Sequence, residues 1–420
     1  MKRILSYLAY LPFVLAVLWA AKVYGGKLFE SNDTHHLYVL ESPAPTEVIA
    51  IQQPENPTPV EPVNTAPTHR LSNELSHIQV ALLLDISGSM DGLIDQAKSK
   101  LWQVVNDLSD AHKAGSNANL EIALYAYGGD HLGAEKGYVR QLAPLSTDLD
   151  LISEKLFALK TNGGEEYCGK VIESAQFELD WSEKKDDLRM IFIAGNEPFN
   201  QGNVQYQQVC KVAKQKDILV NTIFCGNYME GINTFWKHGA DLTNGAYMNI
   251  DHNVQSVHIA TPYDSEISTL NAELNDTYYS YSRSGAVMKE RQITQDNNAA
   301  GYGSANMAKR AISKSKGAYK NSSWDLVDAV KEKKVKVEDL KKEELAPEFQ
   351  SLDGDQLKQK IEELSTKRND IQKKIVELDK KRKSYVAEQK KNKSEDQTLD
   401  AAMSKAIRDQ AKSKNYKFKN

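Results

Sequence analysis

From His77 to about Ile250 the chain alternates short apolar runs with stretches whose apolar residues recur every three or four positions. The runs Ile78–Leu84, Leu120–Tyr127, Arg189–Ala194 and Ile218–Cys225 predict strands, with Ala246–Ile250 a weaker fifth. The stretches between them, Leu93–Leu108, Leu149–Leu159, Gly169–Trp181 and Val204–Gln215, predict helices. Such alternation predicts an α/β fold, a mainly parallel sheet with helices on both faces. Tyr138–Leu142, after the turn "GGDHLGAEKG", predicts an antiparallel edge strand.

Beyond residue 255 the pattern changes. Residues 262–283 predict a helix, 284–303 are polar and rich in Ala and Asn, and 304–316 predict a basic helix. From Gln356 to about Lys390, Leu357, Ile361, Leu364, Ile371, Ile375, Leu378 and Tyr385 alternate four- and three-residue steps, a heptad seam. Arg368 and Arg382 interrupt it, which leaves a dimeric coiled coil, a helical hairpin and a docking helix open. At the other end, two basic residues precede an apolar stretch from Ile4 to about Ala21, an export signal or a single membrane anchor. Leu18-Trp19-Ala20 is a poor small-x-small cleavage site and favours the anchor. Prolines then recur through residues 41–69 without periodicity, as in an extended linker. The chain thus divides into a signal peptide or membrane anchor (1–26), a proline-rich linker (27–75) and an α/β domain (76–252). A helical and polar extension (253–330) and a charged helical tail (331–420) follow, the tail holding the coiled-coil-like segment 356–390.

Of the 420 residues 40% are apolar and 26% charged, which excludes a disordered chain and a polytopic membrane protein. Charge is unevenly spread: residues 331–420 hold 25 Lys+Arg against 18 Asp+Glu, residues 1–330 hold 28 against 39. The basic tail is read as a solvated helical face, with contact to anionic lipid or a polyanion as the alternative. Cys168, Cys210 and Cys225 are an odd number in a chain read as exported, so one pair could bridge, though buried free thiols fit their isolation better. They make no zinc spacing.

The candidate chemistry lies in "LLLDISGSM", where an apolar run stops at Asp85 and two hydroxyls follow at alternate positions, Ser87 and Ser89. Open parallel sheets bind ligands outside the carboxyl ends of their strands. Hard divalent ions take oxygen ligands, and Mg²⁺ accepts a few protein oxygens while keeping several waters. One carboxylate with two alcohols suits such an ion. On spacing alone Asp85 would serve equally as the N-cap of the helix after Met90.

"LLLDISGSM" resembles the D-x-S-x-S motif that opens the metal-ion-dependent adhesion site of the von Willebrand factor type A domain. The resemblance runs over about residues 76–252, through "LEIALYAYGG", "RMIFIAGNEP", "ILVNTIFCG" and "ADLTNGAYMNI". It implies a Rossmann-like, doubly wound sheet. It also implies a divalent cation, usually Mg²⁺ with Mn²⁺ or Ca²⁺ as alternatives, whose coordination is completed by an acidic side chain of a protein ligand. The helical tail, with "SWDLVDAV", more loosely resembles that of bacterial envelope proteins carrying this domain.

Two positions depart from the family. Aligned on the paired glycines of "KTNGGEEYCG", Glu165 stands where the family has threonine, and Thr161 lies four residues early. Aligned on the strand, Gly195 replaces the family's aspartate, followed by Asn196 and Glu197. The expected metal residues are therefore Asp85, Ser87 and Ser89, then Glu165, then Glu197 through water. An inner-sphere Glu165 would weaken the cation as an electrophile, or would take the external ligand's place. In the remaining reading no metal binds, and Glu165 or Glu166 starts the helix that runs to Trp181. Tyr167, His131 and Asn200 would line the rim.

Enzyme classes fit less well. "DISGSM" lacks the flanking glycines of a serine-hydrolase elbow. An aspartyl phosphatase of the haloacid-dehalogenase pattern needs a second acid where Ser87 stands. No phosphate loop or H-E-x-x-H helix occurs. An acidic domain, with a tail lacking aromatics among its lysines, argues against nucleic acid. The sequence therefore predicts a non-catalytic, metal-assisted protein-binding module for adhesion or envelope-complex assembly. It is placed outside the cytoplasmic membrane, anchored or secreted, with a metal-free scaffold acting through its helical tail as the alternative.

Overall fold

The computed structural model describes residues 76–251, 259–282, 284–390 and 399–418. The apolar segment and the proline linker lie outside them. Six strands form the main sheet: β1 (His77–Asp85), β4 (Asn119–Tyr127), β5 (Val139–Ser146), β6 (Leu188–Gly195), β7 (Leu219–Cys225) and β8 (Tyr247–Ile250), in the order β5-β4-β1-β6-β7-β8. Every pairing is parallel except that of β5 with β4. Chain order therefore reverses between β1 and β6, the arrangement of a doubly wound sheet, whose crevice opens at the carboxyl ends of those two strands.

Because successive side chains point to opposite faces, β1 serves two cores. Val80, Leu82 and Leu84 pack with Leu93, Ile94, Leu101 and Trp102 of α1 (Asp91–Ser109). Ala81 and Leu83 face α3 (Cys168–Glu178) and α4 (Tyr206–Gln215), through Val171, Ile172 and Val209. A strand buried on both sides needs the near-continuous apolar run that β1 shows. Between α1 and α3 lies α2 (Leu149–Phe157); after β7 come the short α5 (Tyr228–Asn233) and α6 (Trp236–Asp241).

Several expectations are corrected. Helix α3 stops at Glu178, Leu179 being already extended, so Trp181 lies beyond it. The helix expected over 262–283 ends early, as α7 (Asp264–Asn275), and Ser280 and Tyr281 then bridge to Asp325 and Leu345. The polar stretch forms helix α8 (Gly285–Gly301), followed by α9 (Ser304–Lys314) and α10 (Leu326–Lys331). A hairpin of β2 (Ala111–Lys113) and β3 (Ser116–Asn117) turns through Ala114 and Gly115, both at positive φ, and its β2 pairs with the C-terminal β9 (Lys417–Phe418). All three cysteines are buried and free.

The heptad seam lies on α11 (Gly354–Lys390) and is covered by the chain itself. Leu357, Ile361 and Leu364 pack with Leu326, Val327 and Phe349, while Ile371, Ile375 and Leu378 join the core of the sheet. Arg368 and Arg382, the expected interruptions, are anchors. Arg368 bonds Asp325 and Asp328, each at 2.7 Å, and Arg382 bonds Asp264 at 2.9 Å. The last helix, α12 (Leu399–Ser413), places Met403, Ala406, Ile407 and Ala411 in the same core as α1. Domain, extension and tail thus share one core, and the described residues from 76 to 418 form one compact unit. No helix among the described residues is long and apolar enough to cross a membrane.

Candidate metal centre

Asp85 is the last residue of β1, paired in register with Tyr127 of β4 and one step beyond the Leu84–Ala194 pair with β6. It therefore stands in the crevice where chain order reverses. Its side chain is fully buried. Oδ1 accepts from the Ser87 backbone N–H at 2.7 Å, and Oδ2 has no hydrogen-bond partner among the described residues. Asp85 is not a helix cap: Met90 holds that place before α1. The buried Ser87 and exposed Ser89 bring their hydroxyls within 3.3 Å of each other. Asn196, just past β6, donates to Ser89 Oγ at 3.2 Å.

The second loop is held against this motif by close backbone contacts. Asn162 N–H donates to the Ile86 carbonyl at 3.0 Å, and Asp130 N–H donates to the Gly163 carbonyl. Gly164 lies so close to the Gly128 carbonyl that a Cβ there would collide with it. Thr161 donates to Asp91 at the start of α1, away from Asp85. Of the two adjacent glutamates, Glu165 is exposed, whereas Glu166 is buried. Both precede α3, which begins at Cys168, so neither lies within it. A Cβ on Gly128, whose φ is +82°, would lie 2.7 Å from Asp85 Oδ1 and 3.1 Å from Glu166 Cγ. Gly128 thus leaves room for the Asp85 carboxylate and for the Glu166 side chain. The expected Glu165 is thus the exposed member of the pair, and its neighbour Glu166 the buried one.

Gly195 has a similar reason. A Cβ there would stand 2.5 Å from the Tyr127 hydroxyl and 2.9 Å from Asp85 Oδ2. The hydroxyl donates to the Ala194 carbonyl at 3.0 Å, so the place of the family's aspartate is already filled. Glu197 is half-buried; Gln201 donates to its carboxylate at 3.4 Å and Trp236 Nε1 to its carbonyl at 2.8 Å. On the rim, His131 is exposed with Nδ1 3.0 Å from Asn162 Oδ1, Tyr167 meets Tyr138 edge to face at 5.8 Å, and Asn200 is exposed.

The electrostatics are those of crowded carboxylates. Burial pushes the Asp85 carboxyl up to about 6, against the hydrogen bonds from Ser87 that favour its charge, and Glu197 adds to the rise. Burial, then the charges of Asp85 and Glu197, push Glu166 up to about 7. Burial also raises the Cys168 and Cys225 thiols and the Tyr127 hydroxyl, so these stay neutral and supply neither thiolate ligand nor nucleophile. Among the described residues no three His, Cys, Asp or Glu side chains converge as a metal-binding group. What does converge is the Asp85 carboxylate with the Ser87 and Ser89 hydroxyls, Asp85 Oδ2 being buried without a partner among the described residues, and the Glu166 side chain lies beside Gly128. That all-oxygen set fits Mg²⁺, Mn²⁺ or Ca²⁺ better than a soft ion.

No protein-family model matches the chain, and no curated protein matches it. Among solved structures it is similar to the conserved hypothetical protein BatB from Bacteroides thetaiotaomicron, at 16% identity and a TM-score of 0.32, over 41% of this chain and 90% of that one. It is similar to the SpRpn10 VWA domain, at 17% identity and a TM-score of 0.33, over 43% of this chain and 90% of that one. A third is proximal thread matrix protein 1 from the mussel byssus, described with a zinc occupied MIDAS motif, at 11% identity and a TM-score of 0.30, over 42% of each chain. By its own D-x-S-x-S motif and strand order, the domain at residues 77–250 resembles a von Willebrand factor type A domain.

Proposed function

We propose that this protein is a non-catalytic, metal-assisted protein-binding module of the cell envelope, working in adhesion or in assembly of an envelope complex. The observation that carries the reading is Asp85: a buried carboxylate with an unpartnered oxygen, at the chain reversal of a doubly wound sheet, beside the Ser87 and Ser89 hydroxyls. Burying an unpaired carboxylate is costly, and a cation coordinated there offsets the cost. Asp85, Ser87 and Ser89 would hold the ion. When bound, it would supply a positive centre that fixes the loops carrying Asp85, Ser87 and Ser89 as a docking surface for a partner protein. The envelope placement rests on the basic and apolar N-terminus, whose flanking positive charge keeps that end inside and the domain outside.

The test is crosslinking of the full chain in its native envelope, with and without chelator, beside Asp85→Ala. One crosslinked partner should disappear in both conditions and return to the wild type when Mg²⁺ is restored. A partner retained under both would remove the metal from the interaction and leave a metal-free scaffold as the function.

A further inference from the structure

We propose that Glu166 is itself a ligand of the cation held at Asp85, so that the chain supplies the second carboxylate that the family resemblance assigns to a partner. This rests on the metal reading of the site and deepens it. Glu166 is 9% exposed, and the point that a Cβ on Gly128 would occupy lies 3.1 Å from its Cγ and 2.7 Å from Asp85 Oδ1. It takes part in no salt bridge among the described residues. Lys170, four residues on, is engaged 2.8 Å from Glu173. A buried Asp85 whose Oδ2 has no partner among the described residues, with the buried side chain of a second acid beside Gly128, is a costly arrangement that one divalent ion compensates.

The loop is built to bring Glu166 there. Contact of Gly164 with Gly128 lowers it onto the end of β4, and the Asn162 bond to Ile86 fixes its start. Two inner carboxylates neutralise a divalent charge, so an acidic side chain arriving from outside gains little. The site then acts as a closed ion that sets the three loops, and the partner contacts the loops rather than the metal. Replacing Glu166 by a neutral hydroxyl should reopen it.

The experiment is Mn²⁺ titration of the full chain, followed by calorimetry and by the paramagnetic resonance of free Mn²⁺, with and without a short aspartate-containing peptide. Wild type, Glu166→Gln, Glu166→Thr and Asp85→Ala are compared, each checked for an unchanged far-UV dichroism spectrum. Glu166→Gln should weaken Mn²⁺ by tenfold or more. In Glu166→Thr the peptide should tighten Mn²⁺ several-fold, while in the wild type it should leave the affinity unchanged. Wild-type affinity in Glu166→Gln, or equal tightening by peptide in wild type and Glu166→Thr, overturns the role of Glu166 and leaves the site at Asp85 standing if Asp85→Ala abolishes binding. Absence of binding in the wild type overturns both.

Discussion

That Asp85, Ser87 and Ser89 lie together at a strand end is legible in the sequence, because a strand end followed by two hydroxyls at alternate positions is a local pattern. Which of the adjacent Glu165 and Glu166 is buried is not legible there, since neighbouring identical residues carry no periodicity to separate them. Gly195 was read as a lost ligand; in the folded chain it is a steric requirement. A Gly195→Asp change intended to restore the family's residue should instead destabilise the protein by about 1–3 kcal/mol, as overpacking of a core does. In a denaturant titration that loss should shrink in a Tyr127→Phe background, where the hydroxyl 2.5 Å from the new Cβ is gone. A change carrying no penalty, or the same penalty in both backgrounds, would contradict the assignment.

At the level of elements, the strands could be read because apolar runs buried on both faces leave few other readings. Helix α8 could not, because its buried face is polar: Gln292 donates to the Tyr319 hydroxyl at 3.1 Å, and Gln295 accepts from Ser153 at 2.8 Å. The β2–β3 hairpin was missed because Ala114, at a φ of +50°, is not a residue that announces a turn. The arginines of α11 show how charge misleads a heptad reading, since a buried arginine needs a partner that the heptad does not display. Arg368 is 3% exposed between Asp325 and Asp328. Removing one member of a buried ion pair costs about 3–5 kcal/mol. Arg368→Met should lose about that much in denaturant unfolding, against no more than about 0.5 kcal/mol for Lys373→Ala on the exposed face of the same helix. Equal small losses would mean that α11 is held by its apolar seam alone.

Across the whole molecule, the boundary drawn near residue 252 follows a change in sequence character that the packing ignores. Arg310 and Lys314 of α9 are fully buried; Arg310 bonds Asp150 of α2 at 2.7 Å and Asp296 of α8 at 2.8 Å, its guanidinium 4.3 Å from the Trp102 ring of α1. The basic helix expected over 304–316 is therefore a buried strut between domain and extension, and no sequence pattern distinguishes that from a solvated face. Burial alone would raise the Asp296 carboxyl, but the charges of Lys314 and Arg310 outweigh it and hold the group well below the ordinary aspartate range. A depressed carboxyl stabilises the fold above its unfolded-state value near 3.8, and that contribution is lost as pH falls from there toward the folded value. Unfolding free energy measured from pH 6 down to 2.5 should fall through this window in the wild type. Asp296→Asn should be less stable at pH 6 and flatter below pH 4; parallel profiles would remove the network from the account. A cation at the chain reversal should show in calorimetric titration of Mg²⁺ and Mn²⁺ into the full chain, beside Asp85→Ala. Saturable one-site binding in the wild type, absent from a folded Asp85→Ala, is the expected result. No heat from a folded wild-type chain, or equal binding in the variant, would contradict it.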